Sequence, residues 1–196
     1  MVAETARARH TAAELKAAAR RLLVRKGYAD TKVTDITAEA GKAVGVFYRY
    51  FSDKDALLRS LAEDFEEALH AEVVEHLGDD HGLETAQDVR RHVEAFWATY
   101  ERHLPERVGV MQASMLSSEF RRIHHDLRER QVEIWAGHIL TLDGGTDEQA
   151  RVTALAVVCM LEYFCYCQFT DGAPVDPGLA IGALTSLIAS GLHGDG

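Results

Sequence analysis

The feature that most constrains this chain is the spacing of its apolar residues, which recur three and four positions apart and nowhere sustain an alternation of period two. Leu15, Ala18, Ala19, Leu22 and Leu23 make one such stripe; Val89, Val93, Phe96, Trp97 and Tyr100 make another. Residues so spaced share one face of an α-helix, and an all-α fold of packed amphipathic helices is expected, with about nine helices. Thr11 and Glu14 read as a capping box opening the first, and Gly27 as the left-handed residue that ends it. A short helix follows from about Val33 to Ala40, with Val33, Ile36 and Ala40 inward and Gly41 at its close, and a third covers about Ala43 to Phe51. Ser52 and Asp55 repeat the cap pattern before a long helix through Leu57, Leu58, Leu61, Phe65 and Leu69, which the turn Gly78 to Gly82 ends. The Val89–Tyr100 helix stops before Pro105. Further helical segments cover about 106–122, 124–142, 147–169 and 177–192, with breaks at Asp143-Gly144-Gly145 and at Gly172, Pro174 and Pro177.

Charge divides the chain as sharply as periodicity unites it. The net charge of −10 argues against nucleic acid, but residues 1–54 carry 11 Lys and Arg against 6 Asp and Glu, and residues 55–196 carry 10 against 25. A basic head on an acidic body is the asymmetry of a chain with one anion-facing end. The three cysteines lie between Cys159 and Cys167 and offer no disulfide framework, so the expected compartment is the reducing cytoplasm. No apolar stretch of the kind a secretory signal needs follows Met1 to His10. The run Val152 to Phe169 approaches membrane-spanning length, but it carries Glu162 and Gln168 and lacks flanking basic anchors, so it reads as a buried helix and no membrane partner is expected.

The segment Thr31 to Lys54 carries the function: a short helix, a glycine that lets the chain turn sharply, and a second short helix. In a helix-turn-helix the second helix enters the major groove and its first residues reach base edges. Those residues are Lys42, Ala43, Val44, Gly45 and Val46, mostly small, which suits close approach and apolar contact with thymine methyls. Lys42, Arg49 and Lys54 supply cations for phosphate or guanine, and Tyr48 and Tyr50 can donate to phosphate oxygens.

Here the sequence resembles the TetR family of transcriptional regulators. The matching positions are Thr31, Val33, Ile36, Ala40, Gly41, Gly45, Phe47, Tyr48, Tyr50, Phe51, Lys54 and Leu57, and the first helix with Gly27-Tyr28 also fits; the resemblance is strong over about residues 11–60. It implies that Tyr48 and Lys54 hold phosphates and that Lys32, Thr34, Lys42, Val44, Val46 and Arg49 lie at the groove. Three positions depart from the pattern: Lys32 and Ala43 stand where a Ser or Thr cap is frequent, and Lys42 where a small apolar residue is usual. The resemblance further implies a DNA-binding head over 1–54 and a helical ligand-binding and dimerisation body over 55–196.

In that body, Phe96, Trp97, Tyr100, Phe120, Trp135, Tyr163 and Tyr166, with Met111, Met115 and Cys159, are the candidates for an adaptable apolar pocket, weighed against plain core packing. The helix over 147–169 is apolar nearly all round and must be covered on more than one side. With Leu179, Ile181, Leu184, Leu187, Ile188 and Leu192 of the final helix it reads as a homodimer interface, and two-fold symmetry then implies a roughly palindromic operator on double-stranded DNA. The expected effector is a small, largely apolar molecule that relieves repression; ligand-dependent co-repression or activation keeps the fold and inverts the logic. The cysteine spacing matches no zinc template, the histidines are dispersed, and no metal or cofactor is expected. No Gly-rich phosphate loop, HExxH or nucleophile elbow is present, so an enzyme is not expected; an α-helical enzyme or lipid carrier is the rival from another class.

Overall fold

A computed structural model describes residues 2–77, 82–143, 145–172 and 175–193, all of whose regular structure is helical. The helices are α1 (Val2–Lys26), α2 (Val33–Glu39), α3 (Val44–Phe47), α4 (Lys54–Leu77), α5 (Ala86–Arg102), α6 (Leu104–Ser114), α7 (Ser118–Asp143), α8 (Asp147–Thr170) and α9 (Pro177–His193). Most of the Gly78–Gly82 turn, Gly144, Pro174 and the side chain of Leu69 lie outside the described residues.

The chain forms two compact units: Met1–Glu67 with His103–His124, and Ala68–Arg102 with His125–Gly196. The head expected over 1–54 lies wholly within the first, which also takes in the start of α4, all of α6 and the first turns of α7.

In the first unit the α1 stripe behaves as its spacing demands. Leu15, Ala18, Ala19, Leu22 and Leu23 are all buried, as are Ile36 of α2, Phe47 of α3 and Leu57, Leu58 and Leu61 of α4. α6 closes against α1, and Gly109 makes the approach possible: a Cβ there would stand 2.9 Å from Leu58 Cδ1 and 3.1 Å from Leu23 Cδ1. Polar bonds fasten the same packing. Glu106 of α6, buried, accepts from Arg20 Nε of α1 at 2.5 Å, and Gln112 accepts the Tyr28 N–H at 2.7 Å. Phe120 of α7 is fully buried and packs its ring against Tyr28, centroids 6.1 Å apart.

Three boundaries differ from the sequence reading, each for a physical reason. α1 begins at Val2, not Thr11: the Ala- and Arg-rich stretch before Thr11 favours helix and holds no breaker, so Thr11 sits inside the helix rather than at its head. Asp53, not Ser52, opens α4: its Oδ1 accepts the Ala56 N–H at 2.7 Å, and Ser52 Oγ donates to the other carboxylate oxygen. α5 ends at Arg102, before Pro105 as expected, and Pro105 sits in the first turn of α6, where its missing N–H costs nothing. The break between α6 and α7 accordingly falls at Met115–Ser117, not near 123, with the Leu116 and Ser117 N–H groups bonding back to the Ala113 carbonyl.

In the second unit α5 packs on α9 and α8. Its face of Val89, Val93, Phe96, Trp97 and Tyr100 is buried, with Phe169 of α8 stacked on Tyr100 at 5.9 Å and tilted on Trp97 at 5.2 Å. Reciprocal caps open two of the helices: Thr85 Oγ1 with Asp88 begins α5, and Thr146 Oγ1 with Gln149 begins α8. α8 is long and apolar enough to cross a membrane by length and composition alone. Among the described residues, the face of α8 that is covered is that of Ala150, Ala154, Val157, Val158, Leu161 and Cys165. Val152, Leu155, Ala156, Cys159 and Tyr163 make up an exposed face, and α9 exposes Leu179, Ala183 and Leu187.

Candidate nucleic-acid interface

The turn between α2 and α3 fixes the geometry on which everything else depends. Gly41 takes φ +64°, the left-handed region that a side chain would disfavour. The Lys42 N–H then reaches the Thr37 carbonyl at 2.8 Å and the Gly41 N–H the Ala38 carbonyl at 3.1 Å, the paired closure of a Schellman motif, which satisfies carbonyls left open at the end of α2. The start of α2 is held from the other direction. Lysine has no acceptor, so Lys32 cannot cap; the Asp35 carboxylate instead accepts the Lys32 N–H at 2.9 Å and an ion pair from Lys26 at 2.5 Å. Those two bonds, the Lys26 one foremost, keep the Asp35 carboxyl below the usual carboxylate range.

α3 is shorter than the Ala43–Phe51 helix expected. Ala43 offers no side-chain cap, Gly45 and two β-branched valines lower helix propensity, and after Phe47 the chain continues in a tighter turn, Arg49 N–H to Val46 carbonyl and Tyr50 N–H to Phe47 carbonyl. One side chain anchors it: Phe47 is fully buried, edge-on to Tyr48 at 5.5 Å and tilted against Phe51 at 5.6 Å. The rest of its face is open. Val44 is 40 % and Tyr48 57 % exposed, Ala43, Gly45 and Arg49 are exposed too, and a Cβ on Gly45 would meet nothing within 4 Å. A short helix held by one buried ring and otherwise bare can be laid along the floor of a groove.

The structure sorts the expected DNA-facing residues. Lys32, Thr34, Ala43, Val44, Gly45, Tyr48 and Arg49 are exposed, and Val46 and Tyr50 are half-buried on the same short segment. Lys42 and Lys54 are committed inside the unit. Lys42 Nζ lies 2.8 Å from the Glu14 carboxylate of α1. Lys54 Nζ donates to the Tyr28 carbonyl at 2.7 Å and sits 4.0 Å above the centre of the Tyr28 ring, and burial there lowers its pKa. Tyr28 donates its hydroxyl to Asp55, and burial with that bond raises its pKa. The sequence reading therefore missed Glu14, Asp55, Glu106 and Gln112 as supports of the site. Glu14 and Asp55 stand out in the sequence only as cap residues; no local pattern signals a contact that spans 27 residues of chain, as Tyr28 to Asp55 does, or more.

The effector candidates fall into both units. Met111, Met115 and Phe120 belong to the first: Phe120 is core beside Tyr28, and Met115 is exposed. In the second, Phe96, Trp97 and Tyr100 cluster with Phe169, Trp135 lies 5.3 Å from the buried His92 ring, Tyr166 is half-buried, and Cys159 and Tyr163 stand on the exposed face of α8. Shallow grooves beside the start of α8, lined by Ile139, Leu140, Thr146, Gln149 and Thr153 among others, include none of these candidates.

Comparison with known proteins agrees with this geometry. Residues 15–61 match the family described as bacterial regulatory proteins, tetR family. No curated protein sequence is similar enough to count as a relative. Among solved structures, a TetR-like transcriptional regulator from Rhodococcus sp. RHA1 superposes with a TM-score of 0.73 at 22 % identity, over 94 % of this chain and 97 % of that one. PfmR, a TetR family transcriptional regulator from Thermus thermophilus, gives 0.70 at 23 % over 90 % and 96 %. FadR from Bacillus subtilis, in complex with stearoyl-CoA, gives 0.70 at 17 % over 91 % and 97 %. The whole chain thus has the fold of these regulators.

Proposed function

We propose that this chain, which belongs to the tetR family of bacterial regulatory proteins through its residues 15–61, acts as a homodimeric repressor that grips a roughly palindromic operator and is released from it by a small, largely apolar effector. The observation that carries the reading is the open face of α3, where Val44, Gly45, Tyr48 and Arg49 stand exposed around the buried Phe47 anchor. Val44 and Val46 suit thymine methyls, and Arg49, Lys32 and Tyr48 suit phosphate. The uncovered apolar faces of α8 and α9 support a second copy as their cover, since contiguous exposed apolar surface marks an interaction site. The aromatic cluster of α5 with Phe169 supports an apolar effector, and the stearoyl-CoA bound by the Bacillus subtilis FadR makes an acyl chain the first class to try. Release requires that the effector bind the DNA-incompetent arrangement more tightly than the competent one.

Binding to a duplex selected from a random pool by the wild-type protein tests the reading. Affinity should fall steeply as salt rises, through counterion release. Arg49→Ala should cost about tenfold at matched salt, in line with losing one charge-assisted contact; unchanged affinity would remove Arg49 from the interface. Failure to select any sequence, with a flat salt dependence, would end the DNA-binding reading.

A further inference from the structure

The pair formed by Glu14 and Lys42 has no counterpart in the helix-turn-helix pattern and stands at its most sensitive place. Lys42 immediately precedes Ala43, the residue that opens α3. Glu14 comes from the middle of α1, adjacent to the buried Leu15 that fixes the rotation of that helix. The ammonium and carboxylate lie 2.8 Å apart with side chains 27 % and 34 % exposed, so the contact is at the surface but not fully in water. The hydrogen bond from Lys42 holds the Glu14 carboxyl below the usual carboxylate range. His10, one turn earlier on α1, lies 3.7 Å from the other Glu14 oxygen.

We propose that Glu14 is an affinity-setting residue for DNA: its carboxylate positions and neutralises Lys42 at the start of α3, so that this cation releases no counterion from the duplex and discrimination rests on the neighbouring small and apolar side chains. The inference rests on the DNA-binding reading above. Its logic follows from how binding energy divides on DNA. A phosphate contact adds affinity for every sequence alike, while contacts with base edges add it only for the right one. A lysine free at the head of the recognition helix would raise both affinities and narrow the ratio between them. A carboxylate fixed beside it removes that uniform term and leaves the apolar approach of Val44 and Gly45, both exposed, to decide. Arg49 and Lys32, exposed elsewhere on the segment, remain the phosphate-facing charges.

The test uses the full-length protein with two probes: the duplex selected by the wild type, and a mixed-sequence duplex of the same length. Glu14→Gln keeps an acceptor for the Lys42 ammonium and removes the charge. It should tighten binding to both duplexes, by about eightfold per bound head at 0.1 M salt and by progressively less toward 1 M, and steepen the log–log salt slope by about 0.9 per head. The preference for the selected duplex should shrink. Lys42→Ala alone leaves the Glu14 carboxylate unpaired and should weaken binding to both duplexes, whereas the Glu14→Gln/Lys42→Ala double variant should return the slope to the wild-type value. A merely structural role for Glu14 would move the melting temperature and leave these slopes alone. Weaker binding by Glu14→Gln, an unaltered slope for that variant, or a double variant that keeps the steeper slope would overturn the proposal while leaving DNA binding intact. A wild-type protein that selects no duplex would remove the underlying reading as well.

Discussion

The two units handle their surfaces in opposite ways. The first turns its charge inward: Lys16 pairs with Asp64, Arg20 with Asp64 and Glu106, Arg21 and Arg25 with Glu39, Lys26 with Asp35, Lys42 with Glu14 and Arg59 with Glu119. The second leaves apolar surface outward, with Leu187 of α9 and Val152 of α8 each 64 % exposed. A count of basic residues therefore overstates what the head can offer a phosphate backbone, and a count of apolar residues overstates how much core the body owns. In both, what matters is what stands exposed among the described residues: Arg49 and Lys32 on one, the outer faces of α8 and α9 on the other.

The largest expected effect would break the head. Phe47→Ala empties the fully buried anchor of α3 and should cost about 3–5 kcal/mol, read by thermal or chemical unfolding. A loss below about 1 kcal/mol would mean that α3 does not depend on that ring. Next comes the contrast on the body. In the homodimer proposed above, Leu187→Glu should raise the dissociation constant by about a hundredfold or more, because the new carboxylate would be buried in the interface without a partner. Its exposed position predicts that the protomer keeps its helicity. Sedimentation that still shows a dimer would move the interface elsewhere.

A third pair of variants separates buried from exposed charge in the first unit. Glu106→Gln removes a buried carboxylate from Arg20 and should cost about 1–3 kcal/mol. Glu119→Gln, on the partly exposed Arg59 pair, should cost far less, since water screens an exposed pair. Equal losses would erase the distinction. The smallest effect concerns pH. Hydrogen bonds hold Asp35, Glu39, Asp53, Asp88 and Glu119 below the usual carboxylate range, from Lys26, Arg21, the Ala56 N–H, Thr85 and Arg59 in turn. Folded values below unfolded ones mean that the stabilisation is complete above the unfolded range, near pH 4, and is lost as pH falls through the lowered values. The melting temperature should hold level from about pH 7 to 5 and decline below about 4. A protein more stable at pH 3 than at pH 6 would contradict these assignments.

What could be read from sequence was what is encoded locally. The helix-turn-helix, the left-handed turns at Gly27 and Gly41, the burial of Ile36 and the helical periodicity of α5 each depend on residues within a few positions of one another, and each is found. Thr85 with Asp88 and Thr146 with Gln149 were equally legible caps that the reading passed over. By contrast, Thr11 with Glu14 showed a cap pattern inside a continuing helix, where nothing before it stops the chain. The inward turn of Lys54 and the Lys42 pairing were not readable, because Tyr28 and Glu14 lie 26 and 28 positions away and only the packed fold brings them near.

One earlier feature bears on how this molecule could be re-engineered. Because 103–124 belongs to the same unit as α1 to α3, the DNA-reading end is assembled from two separate stretches of chain. A transplant that cuts after residue 54 and grafts the front piece onto another regulator would leave Arg20 without Glu106, the Tyr28 amide without Gln112 and its ring without Phe120. Hybrids designed to swap operator preference should carry both stretches together, or confine themselves to the exposed residues of α3.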